Sequence, residues 1–262
     1  MTILITNDDG FDARGIEVLT LIAREFAQRV VVVAPNRGYS GMSHSINMDR
    51  PIFVDPQPLV VEGEVVEGVE LFVCTGAPVD CVKVALDAIL KDQRVDLLLS
   101  GINHGSNSNM SVIYSGTMGA ATEGSLYGIP SIGFSLLNHS ADACFDSAAV
   151  WVRRVLQKVL SLDPVELRGL CLNVNIPDLP LEQIKGLKFT RQTIGNWIED
   201  FQPRYDPRGR LYYWMTGRFI NHEPEDATDN DEWALRNGYV AAVPVQMDLT
   251  DHSRLDFLRT LE

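Results

Sequence analysis

The sequence predicts an α/β fold built on a doubly wound, mostly parallel, Rossmann-like β-sheet. Short apolar runs alternate with amphipathic segments over the first two-thirds of the chain. Residues 30–34 are β-branched or small and apolar throughout, as in a parallel strand that helices cover on both faces. Repeated alternation of strands and helices with short connections is the pattern of such a sheet.

The predicted elements follow one another in order. Residues 3–5 form the first strand, and apolar residues recur at helical spacing from Ile16 to Phe26. Pro78 lies near the start of the second helix, where its missing N–H group costs nothing. The remaining strands are predicted at residues 30–34, 71–74, 96–99 and 129–134, and the remaining helices at 79–89, 116–126 and 148–160.

The composition changes after about Pro177 and predicts a part of the chain outside the sheet. Residues 190–222 are rich in Tyr, Trp, Arg, Gly and Pro, which favours an extended hairpin. Residues 239–245 are predicted to be a strand and 253–261 a terminal helix. We expect one domain over residues 1–262, with an α/β core to about 180, the hairpin at 190–222 and a C-terminal segment from about 228 that serves oligomerisation.

Composition and charge exclude several classes of protein. The net charge of 22 − 35 = −13 provides no basic surplus for binding long nucleic acid. No apolar run reaches the ~18 residues of a membrane span, and residues 1–7 lack the basic region of a signal or transit peptide. We therefore expect a cytoplasmic protein, with the four unpatterned cysteines as buried free thiols.

Two adjacent carboxylates follow the first predicted strand. Asp8 and Asp9 repel one another unless a cation shares them, and this loop falls at the carboxyl end of a strand, where open α/β sheets bind ligands. Hard oxygen ligands without a nearby His or Cys suit Mg²⁺ or Mn²⁺ rather than zinc. A plain Asx turn with Gly10 at positive φ is the alternative.

Three further polar loops follow predicted elements, at residues 35–45, 100–107 and 114–119. Their hydroxyls, amides and glycines supply neutral oxygen ligands and allow backbone N–H groups to approach a phosphate. Ser115 at a helix N-terminus would direct the positive end of the helix dipole at an anion, which offsets the negative net charge locally. Ordinary turns and a simple N-cap are the alternatives. Four such loops at one edge of a sheet predict a metal–phosphate site.

These loops resemble the motifs of the SurE (survival protein E) family of nucleotidases. The resemblance lies in Asn7-Asp8-Asp9-Gly10, Ser40-Gly41, Ser100-Gly101-Ile102-Asn103-His104-Gly105 and Tyr114-Ser115-Gly116-Thr117, and it extends over residues 1–10, 34–37, 75–82, 238–240 and 248–250. Two positions differ from the family pattern: Asn36 stands where an acidic residue is expected, and Val79 where alanine is usual.

The resemblance implies a ligand set, an activity and an assembly. One divalent cation per subunit, Mg²⁺ or Mn²⁺, would be held by Asp8, Asp9, Ser40 and Asn103. The implied reaction is hydrolysis of nucleoside 5′- and 3′-monophosphates, in some members with broader phosphatase or short-polyphosphate activity. The implied assembly is a homodimer or tetramer with exchanged C-terminal elements.

Water is the expected nucleophile, with Asp8 or Asp9 as its base. The residues expected around the phosphate are Asn7, Ser43, His44, Asn107 and Ser115, although His44 could equally be a structural histidine. Two rival enzyme classes fit poorly, since an aspartyl-phosphate enzyme needs Asp-x-Asp spacing and a zinc deacetylase needs histidine ligands. A non-catalytic nucleotide sensor on the same fold stays open, because a fold does not fix a function.

Overall fold

The structure, a computed structural model, describes residues 1–262. Its strands are β1 (Thr2–Thr6), β2 (Arg29–Pro35), β3 (Val54–Gln57), β4 (Val60–Val61), β5 (Glu64–Val65), β6 (Val69–Cys74), β7 (Leu97–His104), β8 (Ser131–Leu136), β9 (Cys171–Ile176), β10 (Gly186–Phe189), β11 (Gly195–Tyr205), β12 (Leu211–Asn221) and β13 (Tyr239–Pro244). Its helices are α1 (Arg14–Ala23), α2 (Pro78–Val84), α3 (Gly116–Leu126), α4 (Asp146–Leu160), α5 (Pro164–Leu167), α6 (Asp231–Arg236) and α7 (His252–Arg259).

Nine of the strands form one sheet in the order β10-β13-β9-β8-β7-β1-β2-β6-β3. All neighbouring pairs are parallel except β13 with β9 and β3 with β6. The mostly parallel, doubly wound sheet is therefore confirmed. Both antiparallel pairs lie towards the edges of the sheet.

The direction of strand order reverses at β1. From β1 the chain proceeds through β2 to β6 on one side, whereas β7, β8 and β9 extend the sheet on the other. Thr6 pairs with Ser100, so the carboxyl ends of β1 and β7 lie side by side. In open α/β sheets the ligand crevice forms at such a switch point.

Helices cover both faces of the sheet. Ile3 and Ile5 pack into the larger core cluster with Leu19 of α1 and residues of α4, while Leu4, one residue along, packs into a second cluster with Val82 of α2. Alternate residues of a strand point to opposite faces, which explains this division. Each fully buried aliphatic side chain contributes about 1.5–3 kcal/mol, so the core holds the strand ends in fixed positions.

Several details differ from the sequence prediction. Strand β7 continues to His104 past a register shift that begins after Ser100, so residues 100–104 belong to an irregular strand and not to a loop. The second helix ends at Val84 and continues as a π-helical turn, Ala85–Ile89. Strands β3, β9 and β10 were not predicted, since their apolar runs are short.

The expectation of four buried cysteines is wrong for Cys144. Cys74, Cys81 and Cys171 are buried and all four thiols are free, but Cys144 is exposed. It lies just before α4, beside Phe145, which is buried in the core. With the neighbouring aromatic ring directed inwards, the cysteine faces solvent.

The predicted hairpin is present as β11 and β12, which pair with each other as a separate two-stranded sheet. Most of its large apolar side chains are exposed, as are those of α7. None of the helices combines the length and apolar character that a membrane span requires.

Candidate active site

Asp8 lies in the loop that follows β1 and is only 4% exposed. The Thr117 hydroxyl donates a hydrogen bond to its Oδ1 atom. Burial, followed by repulsion from Asp9, raises the pKa of Asp8 from its ordinary value of 3.8 to about 6, although hydrogen bonds from Thr117 act in the opposite direction. A buried carboxylate held beside a second one is a group that a cation would stabilise.

Asp9 is half-buried and lies on the β7 side of Asp8. Its Oδ2 accepts a hydrogen bond of 3.1 Å from the backbone N–H of His104. Burial raises the pKa of Asp9, while the His104 N–H and the positive potential of His104 and His139 lower it. The histidines and this N–H therefore offset part of the cost of the charge.

The N-terminus of α3 packs directly on Asp8. Ser115 caps the helix, accepting a hydrogen bond of 3.0 Å from Met118 N–H. A Cβ atom on Gly116 would lie 2.8 Å from Asp8 Cβ, so only glycine permits this close approach. The anion nearest the positive end of this helix dipole is thus Asp8 itself, next to Thr117.

Two asparagine side chains have a fixed orientation in this region. Asn7 donates from Nδ2 to the Gly10 carbonyl at 2.7 Å, and its buried Oδ1 has no hydrogen-bond partner. Asn103 donates from Nδ2 to the Gly105 carbonyl at 2.8 Å, which leaves its Oδ1 free of that contact. An orphaned buried oxygen and an oriented amide beside paired carboxylates are suitable for a hard cation and its water shell.

The loop after β2 closes over the aspartates. The Tyr39 N–H donates to the Asp8 carbonyl at 2.7 Å, and a Cβ on Gly10 would come within 3.3 Å of the Arg37 backbone. Ser40, the next residue, is exposed. The structure thus places Ser40 on a loop that is tied to Asp8, with its hydroxyl open to solvent.

Ser43 and His44, which were predicted to contact phosphate, make hydrogen bonds within the protein. The Ser43 hydroxyl donates to the Ile113 carbonyl at 2.6 Å. His44 contacts Thr122 Oγ1 through Nδ1 at 3.1 Å and Glu123 Oε2 through Nε2 at 2.7 Å. The Ser43 bond fastens the loop to the turn before α3 and the His44 bonds fasten it to α3 itself, so His44 would have to release one of its bonds to bind a phosphate.

Asn107, another residue predicted near the phosphate, is buried in a polar network across β8 and β9. Its Nδ2 donates to Ser135 Oγ at 2.9 Å, and its backbone N–H donates to Asn175 Oδ1 at 2.8 Å. Its carbonyl accepts a bond of 2.7 Å from Asn173 Nδ2. The network fixes the segment that follows Asn103.

Sequence reasoning missed three residues of this site: Thr117, His104 and His139. Thr117 and His104 belong to two of the motifs given above. No local sequence pattern, however, shows that a hydroxyl or a backbone N–H will bind a carboxylate that is distant in the chain. His139 follows the carboxyl end of β8, next to β7, and its ring packs against Gly105. A search of every strand-end loop for polar residues would have found it.

The fold and this geometry define an α/β protein with an anionic, oxygen-lined site at the switch point of its sheet. A sequence profile for the family described as Survival protein SurE matches residues 3–199. The chain therefore belongs to the SurE family, which confirms the resemblance seen in its motifs.

Relatives and a solved structure agree with this assignment. The chain is 44% identical over 256 residues to a protein of Flavobacterium psychrophilum named 5′-nucleotidase SurE, covering 98% of this chain and 95% of that protein. A protein of the same name from Christiangramia forsetii is 45% identical over 251 residues, covering 95% and 92%. The crystal structure of the SurE protein from Aquifex aeolicus superposes with a TM-score of 0.80 at 35% identity, covering 100% of this chain and 99% of the other.

Proposed function

We propose that this chain is a divalent-metal-dependent 5′-nucleotidase that hydrolyses nucleoside monophosphates to nucleoside and phosphate. The observation that carries the proposal is the pair of adjacent carboxylates, Asp8 and Asp9, held at the switch point of the sheet. The raised pKa of Asp8 supports it, because burial and the neighbouring Asp9 disfavour the ionised form, and a bound cation would stabilise that form. The names of the relatives support the substrate class.

The donor set of the site fits Mg²⁺ or Mn²⁺. Asp8 and Asp9 would supply two carboxylates, and Ser40 and Asn103 would supply neutral oxygens, for one cation per subunit. No group of three or more His, Cys, Asp and Glu residues is placed to hold a metal, so these neutral oxygens are needed beside the carboxylates. All-oxygen ligation with bound water is typical of Mg²⁺ and Mn²⁺.

A divalent cation held by Asp8, Asp9, Ser40 and Asn103 would supply positive charge that stabilises negative charge on the phosphoryl group. The residues of the chain orient the water nucleophile and accept its proton. Each aspartate has one oxygen engaged within the protein, Asp8 Oδ1 by Thr117 and Asp9 Oδ2 by the His104 N–H, but Asp9 is only half-buried whereas Asp8 is buried. We assign the proton to Asp9 Oδ1 for this reason. The expected phosphate contacts of Asn7, Ser43, His44, Asn107 and Ser115 belong to the same proposal.

The assembly, location and selectivity also belong to the proposal. We infer a homodimer or tetramer formed through the hairpin β11–β12 and the segment after residue 228, outside an α/β core of about residues 1–180. We infer a cytoplasmic protein that acts on mononucleotides and not on long nucleic acid, since the net charge is −13.

Release of inorganic phosphate from AMP tests the activity. We expect turnover with Mg²⁺ or Mn²⁺, none after exhaustive dialysis against a chelator, and recovery when metal is restored. A parallel assay with 3′-AMP tests the 3′ activity. AMP binding without phosphate release would favour the nucleotide sensor, and full activity in the chelated protein would contradict metal dependence.

A further inference from the structure

Glu123 is a buried carboxylate that the proposed reaction does not use. It lies in the C-terminal half of α3 and is only 4% exposed. Its Oε1 accepts a hydrogen bond from Lys83 Nζ of α2, and its Oε2 contacts His44 Nε2 at 2.7 Å. A buried carboxylate is costly unless cationic or hydrogen-bonding groups compensate it. Glu123 therefore binds α2 on one side and the loop after β2, residues 36–53, on the other.

His44 joins this loop to α3 through a second contact. Its Nδ1 lies 3.1 Å from the hydroxyl of Thr122, the residue before Glu123. Both ring nitrogens are thus engaged by adjacent residues of one helix. The ring cannot turn towards solvent without losing the shorter contact, with Glu123. Glu123 therefore fixes the His44 ring and, with it, the loop at that position.

The backbone before His44 packs closely on α3 and on the residues that precede it. The Ser43 N–H donates to the Tyr114 carbonyl at 3.0 Å, and a Cβ atom on Gly119 would lie 2.5 Å from the Ser43 carbonyl oxygen. Ser43 itself has φ = 54°, a conformation that residues other than glycine rarely adopt. Such a conformation persists only where the surrounding contacts hold it. The loop therefore depends on α3 for its shape here.

Ser40 lies between two fixed points of the loop. On one side, the Tyr39 N–H donates to the Asp8 carbonyl at 2.7 Å. On the other side, Ser43 and His44 are bound to α3 and to the turn before it. The N-terminal turn of α3 also packs against Asp8. One helix thus contacts both the aspartate and the loop that carries Ser40, and loosening the loop at α3 would free the Ser40 side alone.

We propose that Glu123 is a positioning residue that, by holding His44 on α3, keeps Ser40 where its hydroxyl can join Asp8 and Asp9 around the cation. The proposal rests on the proposed metal site and adds to it a residue that acts from outside the ligand set. The longer contact of His44, with Thr122, is the one that the ring would release to bind a phosphate.

Calorimetric titration with Mn²⁺ in the absence of substrate tests this role. Glu123→Ala should weaken Mn²⁺ binding by about fivefold, because apparent affinity falls with the fraction of molecules whose loop is in place. Glu123→Gln keeps an oxygen that accepts from His44 and should weaken binding less. His44→Ala should match Glu123→Ala, since no phosphate is present for the ring to bind. Lys83→Met, which removes only the α2 partner of Glu123, is the matched control and should keep the wild-type affinity.

Combination with Ser40→Ala shows whether Glu123 acts through Ser40. Residues that act through one contact are not additive, so Glu123→Ala should weaken Mn²⁺ binding by less than about twofold when Ser40→Ala is already present. Hydrogen exchange reports the loop directly. The Ser43 N–H should exchange about tenfold faster in Glu123→Ala than in the wild type, and at the wild-type rate in Lys83→Met.

Three results would overturn the positioning role: wild-type Mn²⁺ affinity in Glu123→Ala, full additivity with Ser40→Ala, or an equal loss in Lys83→Met. Circular dichroism checks the fold. If Glu123→Ala does not fold, His44→Ala changes a half-exposed side chain and decides the question in the same titration. Wild-type affinity in both Asp8→Ala and Ser40→Ala would instead overturn the metal site itself, so failure of the proposed function is distinguishable from failure of the role of Glu123.

Discussion

Two regions of the protein differ in how they are attached to the rest of the chain. One is the set of loops at the carboxyl ends of β1, β2 and β7, and the other is the hairpin β11–β12. The loops are bound to one another by hydrogen bonds across the sheet, such as Tyr39 to Asp8, His104 to Asp9 and Ser43 to Ile113. The hairpin strands pair mainly with each other, and Trp197 reaches Ser111 through one bond of 3.2 Å.

The exposure of the side chains follows the same division. Asp8 and its partner Thr117 are buried, although they are polar, whereas Tyr205 is 69% and Trp214 is 62% exposed, although they are aromatic. A two-stranded hairpin is marginally stable by itself, and exposed aromatic patches are typical of interfaces. The aspartate site is therefore held in place by contacts within one chain, whereas the exposed surface of the hairpin is suited to contact another subunit.

The largest loss of activity is expected when Asp8 or Asp9 is replaced. Asp8→Ala or Asp9→Ala should reduce phosphatase activity to below about a tenth, because each removes a proposed metal ligand. The fold should persist, since neither side chain fills the apolar core; circular dichroism checks this. Asp12→Ala, a change to an exposed carboxylate in the same loop, is the matched control and should remain active. A variant at Asp8 or Asp9 above that limit would refute the ligand assignment.

Removing the hairpin tests the other half of the comparison. Deletion of residues 201–217, with the ends joined by a short turn, should lower the oligomeric state measured by light scattering. The unfolding temperature of the core should change little, because the deleted residues are mostly exposed. A wild-type protein that is monomeric at micromolar concentration would end the interface interpretation.

The high pKa of Asp8 predicts a pH dependence of stability for the metal-free protein. The folded state binds the Asp8 proton more tightly than the unfolded state does, so the stabilising effect is present below the ordinary pKa of 3.8 and is lost as pH rises through about 6. Asp8→Asn removes this titration. The free energy of unfolding of the wild type relative to Asp8→Asn should therefore fall by about 2 kcal/mol between pH 4 and pH 7. Urea unfolding at each pH measures it, and a constant difference would contradict it.

A smaller effect is expected at Asn103. Asn103→Ala removes a neutral oxygen and not a charge, so it should weaken Mn²⁺ binding less than Asp8→Ala does. Calorimetric titration compares the two affinities. Asn36→Ala, in the exposed loop after β2, serves as the control. Wild-type affinity in Asn103→Ala would remove this residue from the ligand set.

The smallest effect on activity is expected when long nucleic acid is added as a competitor. Excess single-stranded DNA at low salt should leave the hydrolysis of AMP unchanged, because the chain has no basic surplus to bind its phosphates. Strong inhibition would reveal a binding groove that neither the sequence nor the site geometry indicates.

Much of the core and part of the site could be predicted from local pattern. Residues 30–34 indicated a buried parallel strand because they are apolar throughout, and β2 contains them. Asp8 and Asp9 were recognisable because paired carboxylates after a strand are unusual. Thr117 could not be recognised in this way, since its contact with Asp8 joins residues that are 109 positions apart. Cys144 was mispredicted because its apolar neighbours do not tell which way each side chain points.

The sequence by itself determined the α/β class, the order of the main strands and the family, because these depend on periodicity and on motifs read along the chain. Only the tertiary structure decided that β1 and β7 meet at the switch point, that the N-terminus of α3 lies against Asp8, and that Tyr39 and Phe53 meet at Thr75. Burial, pKa and pairing arise from contacts between distant segments, and local sequence does not record which segments pack together.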